Sequence, residues 1–241
     1  MNLGIDGKIA LVTAGSRGLG RATALALAGE GVRVMVSGRD ADSLERTRLE
    51  LVALGAEVAV CAGDVTEPDE PARLVAATVE RFGSIDILVA NAGGPPPGRA
   101  IDLSDDQLES AINANLLTSV RLVRESLPYM RANGWGRICC ITSYTVKQAA
   151  PVLALSNTAR VGLWGWMKTA AHDLASESTG ITINMVCPGP HATDRMKELG
   201  GSGVMGDPAE FGAVATFLCS TQAGFINGAA IVVDGGSTLA L

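Results

Sequence analysis

Short apolar runs and longer stretches of helical periodicity alternate along this chain. The apolar runs, many of them β-branched, occupy 8–13, 32–37, 56–61, 85–90, 138–142, 181–187 and 229–236. They are apolar on successive residues, the pattern of strands covered on both faces as in a parallel sheet. Between them, 21–28 and 41–54 are rich in helix formers, with Asp40 placed to cap the second helix and Gly55 to end it. Leu74, Val75, Val79 and Phe82 share one face of a helix over 68–82. Ser104 is placed to cap a long helical stretch that holds Leu108, Ile112, Asn115, Leu116, Val120 and Val123. The expected architecture is α/β: one domain over 1–241, doubly wound about a parallel sheet of about seven strands.

The first strand runs into Ala14-Gly15-Ser16-Arg17-Gly18-Leu19-Gly20, and a helix follows. Glycines at a strand-to-helix turn let the backbone approach a pyrophosphate and aim free N–H groups at it, with the positive end of the helix dipole adding attraction. Strand, turn and helix together predict a dinucleotide site. An NAD-selective site usually carries a carboxylate near the end of the second strand. Here Ser37 and Gly38 precede a cation, Arg39. Arg39 and Arg17 could pair with a 2′-phosphate, which favours NADP over NAD; the alternative is two solvated arginines. Asp64, after the third strand, could reach an adenine edge or cap a turn. Asn91-Ala92-Gly93-Gly94 follows the fourth strand, where small residues let the chain pass a ribose and an Asn side chain can tie strands together. Pro95-Pro96-Pro97-Gly98 makes a loop over the site. Asn115, polar among apolar helical neighbours, either bonds structurally to backbone or water or holds a water near the chemistry.

Composition narrows the partners. A net charge of −6 with no basic tract argues against nucleic acid. Hydrophobic residues make up 47% of 241, yet no uncharged apolar run has the length of a membrane span. The first residues lack the regions of a signal peptide, and Cys61, Cys139, Cys140, Cys187 and Cys219 have no metal-ligand spacing. Reduced core thiols in a cytoplasmic protein are expected. His172 and His191 lie far apart in sequence, so a zinc site is not expected.

Thr13 to Gly20, Asp64-Val65, Asn91-Ala92-Gly93, Asn115, Ser143, Pro188-Gly189 with Thr193, and Val233-Asp234-Gly235-Gly236 come in an order and spacing that resembles the short-chain dehydrogenase/reductase family over essentially the whole chain. The likeness is greatest to the 3-oxoacyl-acyl-carrier-protein reductase type. It implies a Rossmann sheet, a homotetramer or homodimer, a small-molecule or acyl-carrier-type substrate, and hydride transfer between a nicotinamide and a carbonyl or alcohol. With Arg39 from the charge argument above, the expected cofactor set is Thr13, Gly15, Ser16, Arg17, Gly18, Leu19 and Gly20 of the loop, then Asp64, Val65, Asn91, Ala92, Gly93, Arg160, Pro188, Gly189 and Thr193.

Three places depart from the family pattern. Ala14 stands where the loop has its first glycine, with Gly15 beside it. The family's Tyr-x-x-x-Lys pair falls on Ser156 and Arg160, a register fixed by Pro151 and Gly162-Leu163. Residues four apart meet on one helix face, but a serine hydroxyl is a far weaker acid than a phenol, and an arginine is effectively never a proton donor. The expected catalytic set is thus Asn115, Ser143, Ser156 and Arg160. Tyr144 with Lys147 can substitute only if the chain turns after Ser143, because a continuing strand sends Tyr144 to the opposite face. Finally, 194–206 is a short, glycine-rich lid that leaves the substrate class open. Two readings follow: an NADP(H)-dependent oxidoreductase with an altered proton donor, or a cofactor-binding protein without redox turnover, such as a sensor, scaffold or partner subunit.

Overall fold

A computed structural model describes residues 1–201 and 203–240. Seven strands form one parallel sheet: β1 (Ile9–Val12), β2 (Arg33–Gly38), β3 (Val58–Ala62), β4 (Ile87–Ala90), β5 (Gly136–Ile141), β6 (Ile181–Pro188) and β7 (Ala230–Val233). Their order is β3-β2-β1-β4-β5-β6-β7. All seven expected strands are present, with ends shifted by a few residues. The order reverses direction between β1 and β4, and in open α/β sheets the crevice outside the carboxyl ends at such a point is where ligands bind.

Side chains alternate across each strand, and the two faces are buried in separate cores. Ile9 and Leu11 of β1 join Leu88 of β4 beneath α3 (Glu70–Phe82), α5 (Thr118–Asn133) and α6 (Ala154–Ser176), which contribute Leu74, Leu122, Met130, Leu163 and Met167. Ala10 and Val12 face α1 (Gly18–Gly29), α2 (Ala41–Ala53) and α8 (Pro208–Leu218) with Leu27, Leu51, Phe211 and Leu218. Burial on both faces explains why the strands are continuously apolar. α1 and α8 pack very closely: a Cβ at Gly212 would stand 2.6 Å from the Ala22 carbonyl oxygen. Among the described residues no helix is long and apolar enough to cross a membrane.

The long helix expected after Ser104 is interrupted. α4 (Asp105–Ile112) starts with Ser104 and Gln107 in a capping box, and a π-helical turn over Asn113–Leu117 separates it from α5. Tertiary bonds hold this turn. Asn113 Nδ2 donates to the Thr66 carbonyl (2.8 Å), and Thr118 Oγ1 donates to the Asn113 carbonyl (3.0 Å). Asn115 lies buried in this turn, and π-bulges of this kind gather at functional sites.

At the opposite, amino end of the sheet, buried Asp86 accepts from the Ile9 N–H (3.0 Å) and from Asn133 Nδ2 (3.2 Å), with Lys8 Nζ 3.6 Å away. It fixes the start of β1 against β4. Truncation leaves a buried N–H unpaired, so Asp86→Ala is expected to destabilise by about 1–3 kcal/mol in urea unfolding. A loss below about 0.5 kcal/mol, typical of a plain surface change, would show that it does not brace the sheet.

Candidate active site

The site grows from the end of β1. Thr13 Oγ1 donates to the Asn91 carbonyl (2.7 Å) and accepts from the Asn91 N–H (2.9 Å). Asn91 Nδ2 in turn donates to the Ala14 carbonyl (3.3 Å), the strand-tying role expected of it. Ala14 has φ +45°, a left-handed conformation that L side chains adopt at a cost, which explains why a glycine suits this place. Gly15 donates its N–H to the Ser37 carbonyl, and a Cβ there would lie 2.7 Å from Val36 Cγ1. A Cβ on Gly20 would lie 2.5 Å from the Ala14 oxygen and 2.8 Å from Asn91 Nδ2. Thr13, Gly15 and Gly20, expected to touch a cofactor, therefore sit behind the cavity wall; they let the loop close, while Ser16, Arg17, Gly18 and Leu19 form the wall. Arg17 occupies the cap position of α1 without a side-chain cap bond. The first-turn N–H groups have no partner within the helix, and with the helix dipole they suit an anion.

A cavity of about 840 Å³ runs from this turn in both directions. At one end stand Ser37, Arg39, Asp40, Asp64 and Val65. The Asp40 carboxylate is engaged: it accepts from the Ser43 N–H (2.8 Å) and caps α2. The bonds from Ser43, with Arg46 and Arg17 nearby, hold its carboxyl below the usual range. Arg39 lies 3.7 Å from Asp64, which also accepts from the Thr66 N–H (3.1 Å) and hydroxyl (2.8 Å). Partial burial works to raise the Asp64 carboxyl, but the Thr66 bonds and Arg39 outweigh it and hold it low. Asn91, Ala92 and Gly93 line the middle, and a Cβ at Gly93 would meet open space.

At the other end β5 stops at Ile141 and the chain turns into a 3-10 helix over Tyr144–Val146. Ser143, Tyr144, Ser156, Arg160 and Asn115 meet here, with Pro188, Gly189 and Thr193 opposite. Because the chain turns, Tyr144 lines the cavity, whereas the Lys147 ammonium packs 4.2 Å from the Trp164 ring centre. Ser143 Oγ accepts from the Thr145 N–H (3.2 Å), and Ser156 Oγ accepts from Arg160 Nε (3.1 Å). Each serine thus keeps its own O–H free to donate. Arg160 is only 8% exposed; its Nη1 donates to the Ile141 carbonyl (3.3 Å). Burial pulls the Arg160 guanidinium down to about 10, with Arg195 also disfavouring its charge. Asn115 is 4% exposed and neither atom of its amide has a partner among the described residues.

The wall also holds residues outside the expected site, among them Arg195 and His191. Thr193 caps the short α7 (Asp194–Glu198), accepting from the Met196 N–H (3.3 Å). From α7, Arg195 Nη2 donates to the Pro95 carbonyl (2.8 Å), strapping the 194–206 segment to the proline loop. Thr193 followed by Asp194 is a helix-start pattern that could have marked this element. Ser202 of the segment lies outside the described residues. Buried His191 also lines the cavity, its Nδ1 3.0 Å from the Gly189 carbonyl and its ring edge-on to Phe211.

A family model described as Enoyl-(Acyl carrier protein) reductase matches residues 13–238. The chain belongs to the short-chain dehydrogenase/reductase family. Over 98% of both chains it is 32% identical to a 3-oxoacyl-[acyl-carrier-protein] reductase of Synechocystis sp.. It superposes on L-sorbose reductase from Gluconobacter frateurii, complexed with NADPH and L-sorbose, with a TM-score of 0.92, 29% identity and full coverage of both chains. A 7α-hydroxysteroid dehydrogenase complexed with NADH gives a TM-score of 0.92 at 28% identity, over 98% of this chain and 96% of the other. This short-chain dehydrogenase/reductase chain holds the first residue of its turn, Ala14, at a left-handed φ. Ala14→Gly is accordingly expected to raise stability by about 1 kcal/mol in urea unfolding. An unchanged or lower midpoint would show that the turn is relaxed.

Proposed function

We propose that the chain is an NADP(H)-dependent oxidoreductase acting on a carbonyl or alcohol substrate with an altered proton donor. The observation that carries this reading is the continuity of one cavity, from the cation at the end of β2, past the uncapped N-terminus of α1, to the polar cluster at Ser143, Ser156 and Arg160. The first turn of α1 would hold the pyrophosphate of a dinucleotide, Ala92 and Gly93 would flank one ribose, and Arg39 and Asp64 would receive the other. Gly20 makes the cradle possible, since a Cβ there would push the turn apart.

NADP is preferred for an electrostatic reason. The carboxylate following Arg39 is spent on capping α2, so it is poorly placed to accept ribose hydroxyls, while Arg39 and Arg17 can meet a 2′-phosphate. The structural neighbours include complexes with NADPH and with NADH, so the preference rests on these side chains.

The bound nicotinamide would supply or accept the hydride; the chain's residues must orient the carbonyl and handle the proton. Ser143 and Ser156 can each donate an O–H to the carbonyl oxygen, because each already accepts a bond from a protein donor. Arg160 adds positive charge where negative charge develops on that oxygen. Neither group is a useful acid, so the proton comes from Tyr144 or from water held by the unpartnered Asn115 amide. General acid catalysis contributes about 10²–10⁴-fold, so the altered set is expected to turn over slowly rather than not at all. The second reading, a cofactor-binding protein without turnover, is favoured by the Arg160–Ser156 contact, which places no base beside the serine. Partners follow the first reading: a small-molecule or acyl-carrier-type substrate and a homodimer or homotetramer, without nucleic acid or membrane.

Arg39→Ala is expected to weaken NADPH binding about 10- to 100-fold in calorimetry while leaving NADH within about threefold. An equal effect on both would assign Arg39 to the surface. The double substitution Ser156→Tyr with Arg160→Lys is expected to raise NADPH-dependent reduction of simple carbonyls by about 10²-fold or more. A folded, NADPH-binding double variant without any gain would favour the reading without turnover.

A further inference from the structure

Arg160 is a buried cation that finds no counter-charge among the described residues. Among the described residues no carboxylate pairs with it, and its bonds go to two neutral oxygens, Ser156 Oγ and the Ile141 carbonyl. The carboxylates that line the same cavity are committed elsewhere. Asp40 caps α2, Asp64 pairs with Arg39, Asp194 with Lys197 and Glu198 with Arg195, and Asp106 lies in the first turn of α4, where a helix dipole favours negative charge. Cys187 is the remaining acidic group near Arg160, but burial raises its thiol above the usual range, so it stays neutral. A buried charge without a partner is costly, and a ligand that brings the opposite charge offsets that cost.

The surroundings select the kind of ligand. Only Nε and Nη1 of the guanidinium are engaged, which leaves N–H groups for a fork-shaped acceptor. Beside it, Ser143 and Ser156 have free O–H donors and Asn115 has an unpartnered amide that is 4% exposed. Arg195, strapped to the Pro95 carbonyl over the mouth, places a second cation close enough to disfavour the charge on Arg160. Its own carboxylate neighbour, Glu198, is 3.5 Å away and largely exposed, so the pair compensates poorly inside the cavity. Ribose hydroxyls of a cofactor can accept hydrogen bonds from Arg160 but bring no charge.

Resting on the oxidoreductase reading above, we propose that the carbonyl substrate carries a carboxylate, received by Arg160 between Ser156 and Asn115 with Arg195 closing over it. Substrate specificity then lies in the charge of the pocket floor. The arginine that stands at the family's lysine position is an anchor for the substrate as well as for the cofactor. An oxo acid fits this site, with its carbonyl oxygen toward the free hydroxyls of Ser143 and Ser156.

The test is calorimetric titration of the full chain with pyruvate and with its neutral methyl ester, each with and without saturating NADP⁺. Pyruvate is expected to bind at least about 10-fold more tightly than the ester, as a charge-assisted fork requires. Arg160→Gln should abolish that preference and Arg160→Lys should restore part of it. Arg195→Gln, at the exposed rim, should reduce it by about threefold, and it serves as the second variant if Arg160→Gln does not fold. Equal binding of acid and ester, or a preference that survives both glutamine substitutions, overturns the proposal. Chloride or phosphate competing at the same concentration as pyruvate also overturns it, in favour of a general anion site. A pyruvate preference in a protein that fails to bind NADP⁺ would uphold the anchor and contradict the cofactor reading. NADP⁺ binding without the preference would contradict the anchor alone.

Discussion

The site depends on one junction, the paired hydrogen bonds between Thr13 and Asn91 where β1 and β4 part. The Thr13 hydroxyl serves as both donor and acceptor to the Asn91 backbone, and the Asn91 amide reaches back to the Ala14 carbonyl. A parallel sheet that reverses its order leaves backbone groups unpaired at this point, and buried backbone groups need partners. Side chains from the two strands supply them. The same bonds set the position of the glycine turn, and the turn sets the direction of α1. Everything that could hold a pyrophosphate follows from that junction.

Charge organises the rest. The cavity carries cations at both ends and between them the positive end of a helix, whereas most of its carboxylates are paired or spent on caps. At the Arg39 end this leaves room for a phosphate, and at the Arg160 end it leaves a buried cation without a counter-ion among the described residues. The proton-handling groups are weak by comparison: two serine hydroxyls, one tyrosine at the wall and an unpartnered amide. Such a pocket binds and polarises better than it protonates.

Much of this was legible in the sequence because the central strands are buried on both faces and therefore read as uninterrupted apolar runs. The turn was legible because its glycines have steric reasons local to the turn. Ala14 was recognisable as a departure, though only its φ of +45° shows what the departure costs. Other features depend on contacts between distant segments and leave no local pattern. The π-helical turn exists because Asn113 reaches the Thr66 carbonyl, 47 residues away. Arg195 reaches the site through a bond to Pro95, across 100 residues. Thr13, Gly15 and Gly20 were assigned to the cofactor, and motif position alone cannot separate residues that shape a loop from those that face its ligand. The place of Tyr144 hung on whether the chain turned after Ser143, and the 3-10 helix decides it.

On the proposed reading one cavity would hold a dinucleotide, with Arg39 receiving its phosphate-bearing ribose and Arg160 its nicotinamide end. Calorimetric titration of the unaltered chain with NADPH and with NADH tests it most directly. Micromolar binding of NADPH, at least about tenfold tighter than NADH, is the expected result. Binding of neither would contradict the claim and leave a Rossmann sheet serving another ligand.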